Sequence, residues 1–452
     1  MTRLVDYLEQ NALRYPDKTA VICGGESCSY ARLWQLVQQH AATLPANQVI
    51  AFRTSQTLDF LVTYLAIHLA GSVAAPLEKG MPEALFREVS YHLAAKNSQF
   101  SARPTAACYQ RDARTLNFAD VLYTTGTTGR SKGVLISHKA MIADAENLIA
   151  GQGFTHDLVF VAHGPLNHIG TLSKTWPVII LGATLHILDG LKDAGAFFDA
   201  FRPEGRYATF FVPANIRYLL AFDAKRFASL ADRLDFVESG GAPLSHADML
   251  QLCELLPRTR LYNTSASTET GIIATYNYND GRCLAGCLGR PMPHSRVMIT
   301  DEGKIACQGD TLMSGYLGDE ALTAGILHDD TVYMSDYGRI DDEGMLHILG
   351  RENDVINVGG YKVAPTEVED VAMEYPGVTD CICISAEHPV MGMALKLLVV
   401  MKSDVPFSKR SLARHLAARL EPYKVPILYE QVASVARTYN GKLDRKHYIT
   451  IS

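Results

Sequence analysis

Hydrophobic and polar positions along this chain switch repeatedly between two periods. Residues 1–22, "MTRLVDYLEQNALRYPDKTAVI", place apolar side chains at helical spacing broken by charge. Residues 48–54, "QVIAFRT", form a short apolar run of strand length. Residues 57–71, "TLDFLVTYLAIHLAG", then read as a buried helix and residues 72–77, "SVAAPL", as a strand. This is the most apolar long stretch, but Asp59, Thr63 and His68 interrupt it and it ends in a strand, so it does not read as a membrane span. "FADVLYT" (118–124) has the β-branched and aromatic residues of a buried strand. "VLISHKAMIADAENLIA" (134–150) starts as a brief strand and turns helical from about His138 to Ala150. The alternation continues through "LVFVAHGPL" (158–166), "KTWPVIILGA" (174–183) and "TLHILDG" (184–190). It predicts α/β layers with largely parallel sheets, in which ligands gather at loops beyond the strand ends. No repeat or low-complexity tract interrupts it, although the polar residues 101–117 read as a long connection.

Near residue 350 the pattern changes. "GMLHILGRENDVINVGGYKVAP" (344–365) reads as a hairpin with charged turns, followed by an acidic helix start in "TEVEDVAMEYP" (366–376). Beyond it come "CICISA" (381–386), "ALKLLVVM" (394–401) and a helix near 409–420. The expected organisation is a large N-terminal domain of layered α/β sheets, residues 1–350, and a small α+β C-terminal domain on a hinge, residues 351–452.

Composition narrows the function classes. The chain has 452 residues, 48% hydrophobic and 20% charged, with a formal net charge of -6, which suits a globular protein with more than one core. Lys and Arg are scattered without excess, which argues against a nucleic-acid partner. The N-terminus lacks the apolar core and small-residue cleavage site of a signal peptide. Nine cysteines without a Cys-x-x-Cys pair fit reduced thiols, so a cytoplasmic location is expected and no zinc site.

The chemistry begins at "YTTGTTGRSKG" (123–133), where glycines and threonines surround one arginine and one lysine. Glycine turns let backbone N–H groups converge on an anion, hydroxyls add donors, and Lys132 adds a full charge: a phosphate cradle. It is not a Walker loop, because Lys132 follows Ser131 and precedes Gly133. Further stretches follow in order: "GPLNHIG" (164–170), "ESGGAPLS" (238–245), "NTSASTETG" (263–271), "GCLGRPMP" (286–293), "MSDYGRIDDEGMLHILGREND" (334–354) and "RTYNGKLDR" (437–445). With these motifs the chain resembles the adenylate-forming superfamily: acyl-CoA and aryl-CoA synthetases, peptide-synthetase adenylation domains and luciferases. The resemblance runs from the N-terminal helix to the final lysine motif.

That resemblance implies two reactions at one site: a carboxylate attacks ATP, releasing pyrophosphate, and the acyl-adenylate then passes to a thiol. Thr124, Thr125, Gly126, Thr127 and Thr128 with Lys132 would hold the phosphates. Glu269 matches the Mg2+-coordinating glutamate and Thr268 a residue at the α-phosphate. Thr264 and Ser265 would lie on the nucleotide side, Gly241, Ala242 and Pro243 along the adenine face, and Asp336 and Arg351 at the ribose hydroxyls. Lys442 matches the catalytic lysine of the small domain, Asn353 its hinge, and Gly359 and Gly360 the loop lining a pantetheine tunnel. His168, Ile169, Gly170 and Ala266 would line the acyl pocket, with His168 as its aromatic gate.

Several residues depart from the family pattern. Ser265 and Ala266 stand where many relatives carry Tyr-Gly, which removes a ring beside the nucleotide. Ala436 stands where a proline is frequent, and Asn353 where Asp or Lys is usual. Ile169 replaces the aspartate that pairs with the ammonium in amino-acid-activating relatives, so an acid without an α-amine is implied. The implied function is an ATP-dependent acid-thiol ligase for an aryl or aliphatic acid, using ATP, Mg2+ and CoA. An acyl carrier protein or an amine as acceptor, and a non-catalytic nucleotide-binding regulator, remain the alternatives. Retained Lys442 and Glu269 argue against the last.

Overall fold

The computed structural model describes residues 2–95, 118–125, 131–202, 204–352, 354–358, 361–388, 392–437 and 443–449. The connection 101–117, the cradle tip 126–130, Asn353, Gly359, Gly360 and Lys442 lie outside these residues.

Among the described residues, one sheet of fourteen strands dominates. Its middle is parallel: Arg260–Ser267, Leu234–Ser239, Arg206–Phe211, Leu158–Ala162, Thr184–Ile187 and Thr19–Cys23 lie side by side in that order. Helices such as Pro213–Ala228 and His246–Leu255 supply the crossovers that parallel neighbours require. The expectation of largely parallel sheets fails beyond Arg260–Ser267. From there Gly271–Asn277, Cys287–Pro291, Leu346–Arg351, Thr331–Ile340, Lys304–Gly309 and Ser295–Ile299 pair antiparallel. The cause is local, since turns rather than crossover helices connect most of these strands. A second sheet of five strands holds Val49–Arg53, Val73–Leu77, Phe118–Thr125, Ser131–Ser137 and the two-residue strand Gly315–Tyr316.

The hairpin expected over 344–365 is divided in two. Leu346–Arg351 pairs backwards with Thr331–Ile340, because Asp341 closes a turn by accepting from the N–H groups of Glu343 and Met345 at 3.0 and 2.9 Å. The hairpin proper joins Ile356–Val358 to Tyr361–Val363. Then follow the helix Pro365–Met373 and the strands Val378–His388, Gly392–Met401 and Leu428–Gln431 around a separate apolar core.

The main core packs the helices Leu4–Arg14, Leu58–Leu69, His138–Gln152 and Ile169–Leu181 between the two large sheets. A buried polar chain ties them together. Trp176 Nε1 donates to Tyr64 Oη (3.1 Å), Tyr64 Oη donates to Asp120 Oδ2 (2.9 Å), and His68 Nε2 lies 3.0 Å from Asp120 Oδ1. This fixes the strand that enters the cradle against the helix that starts at the expected acyl pocket.

The C-terminal unit touches the large one through charge. Arg217, on Pro213–Ala228, donates to Asp248 Oδ2 at 2.8 Å and reaches Asp380 Oδ1 at 3.5 Å. Asp380 also accepts from Arg437 at 2.8 Å, and His246 Nδ1 lies 3.7 Å from Glu374 Oε1. Among the described residues no helix is long and apolar enough to cross a membrane.

Candidate active site

Parallel strands deliver their C-terminal ends to one edge, and the expected acyl and nucleotide residues sit on that edge. His168 is the extended N-cap of the helix Ile169–Leu181, and its carbonyl accepts from Leu172 N at 2.9 Å. Ile169 is half-buried and packs on the main core. Gly241, Ala242 and Pro243 leave the strand Leu234–Ser239 in an exposed to half-buried loop that runs into the Ser245-capped helix His246–Leu255. Ala266 is exposed and Ser265 half-buried, at a bulge in the pairing with Gly271–Asn277. Thr264 differs from its expected place. Its hydroxyl is buried inside the sheet, accepting from Gln152 Nε2 at 3.2 Å and 2.9 Å from the Thr275 hydroxyl, so its side chain does not face the cleft. Strand alternation explains this, because Thr264 and Ser265 point to opposite faces.

The phosphate side is assembled from three distant segments. The cradle tip joins two antiparallel strands in which Thr124 faces Lys132 and Thr125 faces Ser131. The strand Gly315–Tyr316 adds to the same hairpin, with Tyr316 opposite Val134. Register therefore brings the Lys132 ammonium to 5.4 Å from the centre of the Tyr316 ring. Tyr316 Oη donates to Glu269 Oε1 at 2.8 Å, and Met313 N donates to the Glu269 carbonyl at 2.9 Å. Burial, and then the Glu269 charge, push the Tyr316 hydroxyl well above its usual range. Thr268 and Glu269 sit at the turn between Arg260–Ser267 and Gly271–Asn277, both half-buried. Ser267 Oγ accepts from Thr270 N at 3.1 Å, and Gly271 turns the chain with φ +65°. A Cβ on Gly271 would lie 2.7 Å from Asp144 Oδ1, the same oxygen that accepts from Ile272 N at 2.6 Å.

On the expected ribose side, Asp336 and Arg351 are direct cross-strand partners in the register of Thr331–Ile340 with Leu346–Arg351. The next residue, Glu352, pairs with Lys304 at 2.8 Å. Around the lysine motif, the residues flanking positions 438–442 are tied down. Arg437 bridges Leu443 through the backbone, and Arg445 Nη2 donates to both Glu369 oxygens at 2.6 and 2.7 Å.

Two groups escaped the sequence reading. Tyr316 became visible only through strand pairing, although "SGY" beside a helix start was there to be noticed. Phe210, Lys174 and Glu238 lie behind the expected acyl pocket. Lys174 hides among Thr171, Ser173 and Thr175 in a mostly apolar helix, and only its four-residue spacing from Gly170 could have marked it.

Comparison with known proteins shows the family and the fold. The model of the AMP-binding enzyme family matches residues 8–98 and 88–317, and that of the AMP-binding enzyme C-terminal domain matches residues 367–442. Feruloyl-CoA synthase of Amycolatopsis sp is 28% identical over 95% of this chain and 94% of its own length. Indoleacetate–CoA ligase of Aromatoleum aromaticum is 26% identical over 97% and 96%. The crystal structure of ATP-bound MatB from Rhodopseudomonas palustris shares the fold, with a TM-score of 0.83 over 99% of this chain and 98% of that one at 23% identity. From the cradle to the small domain, the chain belongs to the AMP-binding enzyme family of adenylate-forming enzymes.

Proposed function

We propose that this chain is an ATP-dependent acid-thiol ligase that activates an aryl or aliphatic carboxylic acid as its adenylate and passes the acyl group to CoA. The observation that carries the site assignment is the convergence of Lys132, Tyr316 and Glu269 from three distant segments beside the cradle strands. The relatives named for feruloyl-CoA and indoleacetate–CoA support an aryl acid.

Adenylation brings a carboxylate against a triphosphate, so fixed positive charge must meet the charge that develops on the departing pyrophosphate. Lys132 and the cradle N–H groups would supply it. The Asp336 carboxylate would accept from a ribose hydroxyl and the Arg351 guanidinium would donate to one. Lys442 would reach the reacting carboxylate and α-phosphate from the small domain.

Glu269 suits a hard cation: its carboxylate is half-exposed and oriented by one hydrogen bond from Tyr316. Among the described residues no group of three metal-ligating side chains exists, so a Mg2+ held by Glu269 would complete its shell from phosphate and water. Bound there, it would neutralise phosphate charge. Ile169, half-buried against the core, offers no counter-charge to an ammonium, which supports an acid without an α-amine.

The test is acid-dependent pyrophosphate release over a panel of aryl, aliphatic and amino acids, followed by mass spectrometry of products with CoA, a pantetheinylated carrier or amines. Release with aryl or fatty acids and thioester formed with CoA is expected. Release with amino acids alone, or with no acid, overturns the reading. Lys442→Ala should slow adenylation by about 100-fold or more, the scale of losing a preorganised charge, and spare thiolysis of a supplied acyl-adenylate. Equal loss of both steps would make Lys442 structural.

A further inference from the structure

Behind the expected acyl pocket lies a buried ion pair with an aromatic ring in front of it. Lys174 Nζ is 2.9 Å from Glu238 Oε1, and the two side chains are only 2% and 1% exposed. Glu238 Oε2 is buried without a hydrogen-bond donor among the described residues. Phe210 lies against this pair: its ring centre is 5.2 Å from Lys174 Nζ, and the residue is half-buried.

Two glycines explain how the ring is seated. A Cβ on Gly170 would lie 3.1 Å from the Phe210 ring, and one on Gly240 would lie 3.2 Å from it. Gly170 is one helical turn before Lys174 on the same helix face, and Gly240 follows Glu238 by one strand pleat. The absence of side chains on both residues thus makes a slot that the ring fills, with the ion pair deeper along the same two elements.

We propose that Phe210 closes the acyl pocket at this depth and that the Lys174–Glu238 pair reinforces the limit, so the substrate is a compact acid, of aryl type, rather than a long aliphatic one. This rests on the ligase reading above and narrows its substrate class. The limit is steric first, because a ring held between two backbones cannot shift without strain. It is also electrostatic. An alkyl tail pushed past Phe210 would meet a buried ion pair that gains nothing from a methyl group and already has an acceptor oxygen unserved.

The experiment measures pyrophosphate release by the wild-type protein with benzoate, cinnamate, octanoate, dodecanoate and palmitate, then by Phe210→Ala with the same acids and their ω-hydroxy counterparts. The wild type is expected to favour benzoate or cinnamate over dodecanoate by about 100-fold or more in kcat/KM, the discrimination a steric pocket limit reaches. Phe210→Ala is expected to reduce that ratio at least about tenfold and to prefer ω-hydroxy over methyl-ended acids of equal length. Equal use of dodecanoate and benzoate by the wild type overturns the proposal, and this arm stands even if the variant does not fold. A folded Phe210→Ala with an unchanged length profile overturns it as well. Robust release with the length order reversed sinks this inference and leaves the ligase reading standing. No release with any acid ends both.

Discussion

A tyrosine whose hydroxyl donates to a carboxylate keeps that proton more firmly, and for Tyr316 burial acts in the same direction. Its hydroxyl therefore stays a donor to Glu269 at any working pH. A hydrogen bond to a charged group contributes about 1.5–3 kcal/mol, so Tyr316→Phe should weaken the orientation of Glu269 and slow adenylation about tenfold or more. The ring itself remains under Lys132, which isolates the hydroxyl. If Glu269 holds the cation, the variant should need a higher Mg2+ concentration for half-maximal pyrophosphate release. A lower melting temperature with an unchanged Mg2+ profile would show that Tyr316 only packs. Lys132 and Glu269 could be named from sequence because their neighbours form motifs. Tyr316 could not, since its place depends on which strand a two-residue segment joins.

The turn between Arg260–Ser267 and Gly271–Asn277 positions Thr268 and Glu269, and Gly271 makes it possible. A Cβ there would meet Asp144 Oδ1 at 2.7 Å and Thr311 Cβ at 2.9 Å, at a φ of +65°. Gly271→Ala should therefore cost about 1–3 kcal/mol of stability through strain at a positive φ and more through displacement of Asp144. Gly281→Ala provides the control, because its φ is +85° but nothing lies within 4 Å of its Cβ. Urea melts of both variants should separate strain from collision, and equal losses would remove Asp144 from the account. Elements of this kind were only partly legible. The buried helix Leu58–Leu69 and the strands Val73–Leu77 and Phe118–Thr125 follow from apolar periodicity. The antiparallel half of the large sheet does not, because periodicity gives a strand its faces but not the direction of its neighbour. Thr264 was misplaced for a related reason: a motif names a run of residues, while the pleat decides which of them look into the cleft.

Across the molecule, the helix Pro365–Met373 carries Asp370 toward the large domain, and burial with nearby Glu369, Asp248 and Glu374 pushes its carboxyl up to about 7, against a relief from Arg217. Where the domains meet, the protonated form is thus favoured. The contribution is fully present below the ordinary value of 3.8 and is lost as pH rises through about 7. Docking should accordingly tighten as pH falls through that window. The deciding variant is Asp370→Asn, which should flatten most of the dependence. Fluorescence transfer between dyes on the two domains, read from pH 4 to 8, measures it, and a wild-type profile identical to that of Asp370→Asn would discard the idea. The charges at Asp380 have a different consequence. Were the domains to part, Arg217 would keep Asp248 and Asp380 would keep Arg437, so among the described contacts at Asp380 the one broken would be the 3.5 Å contact between the two pairs. A clasp built from halves that are each already neutral would release without stranding an ion.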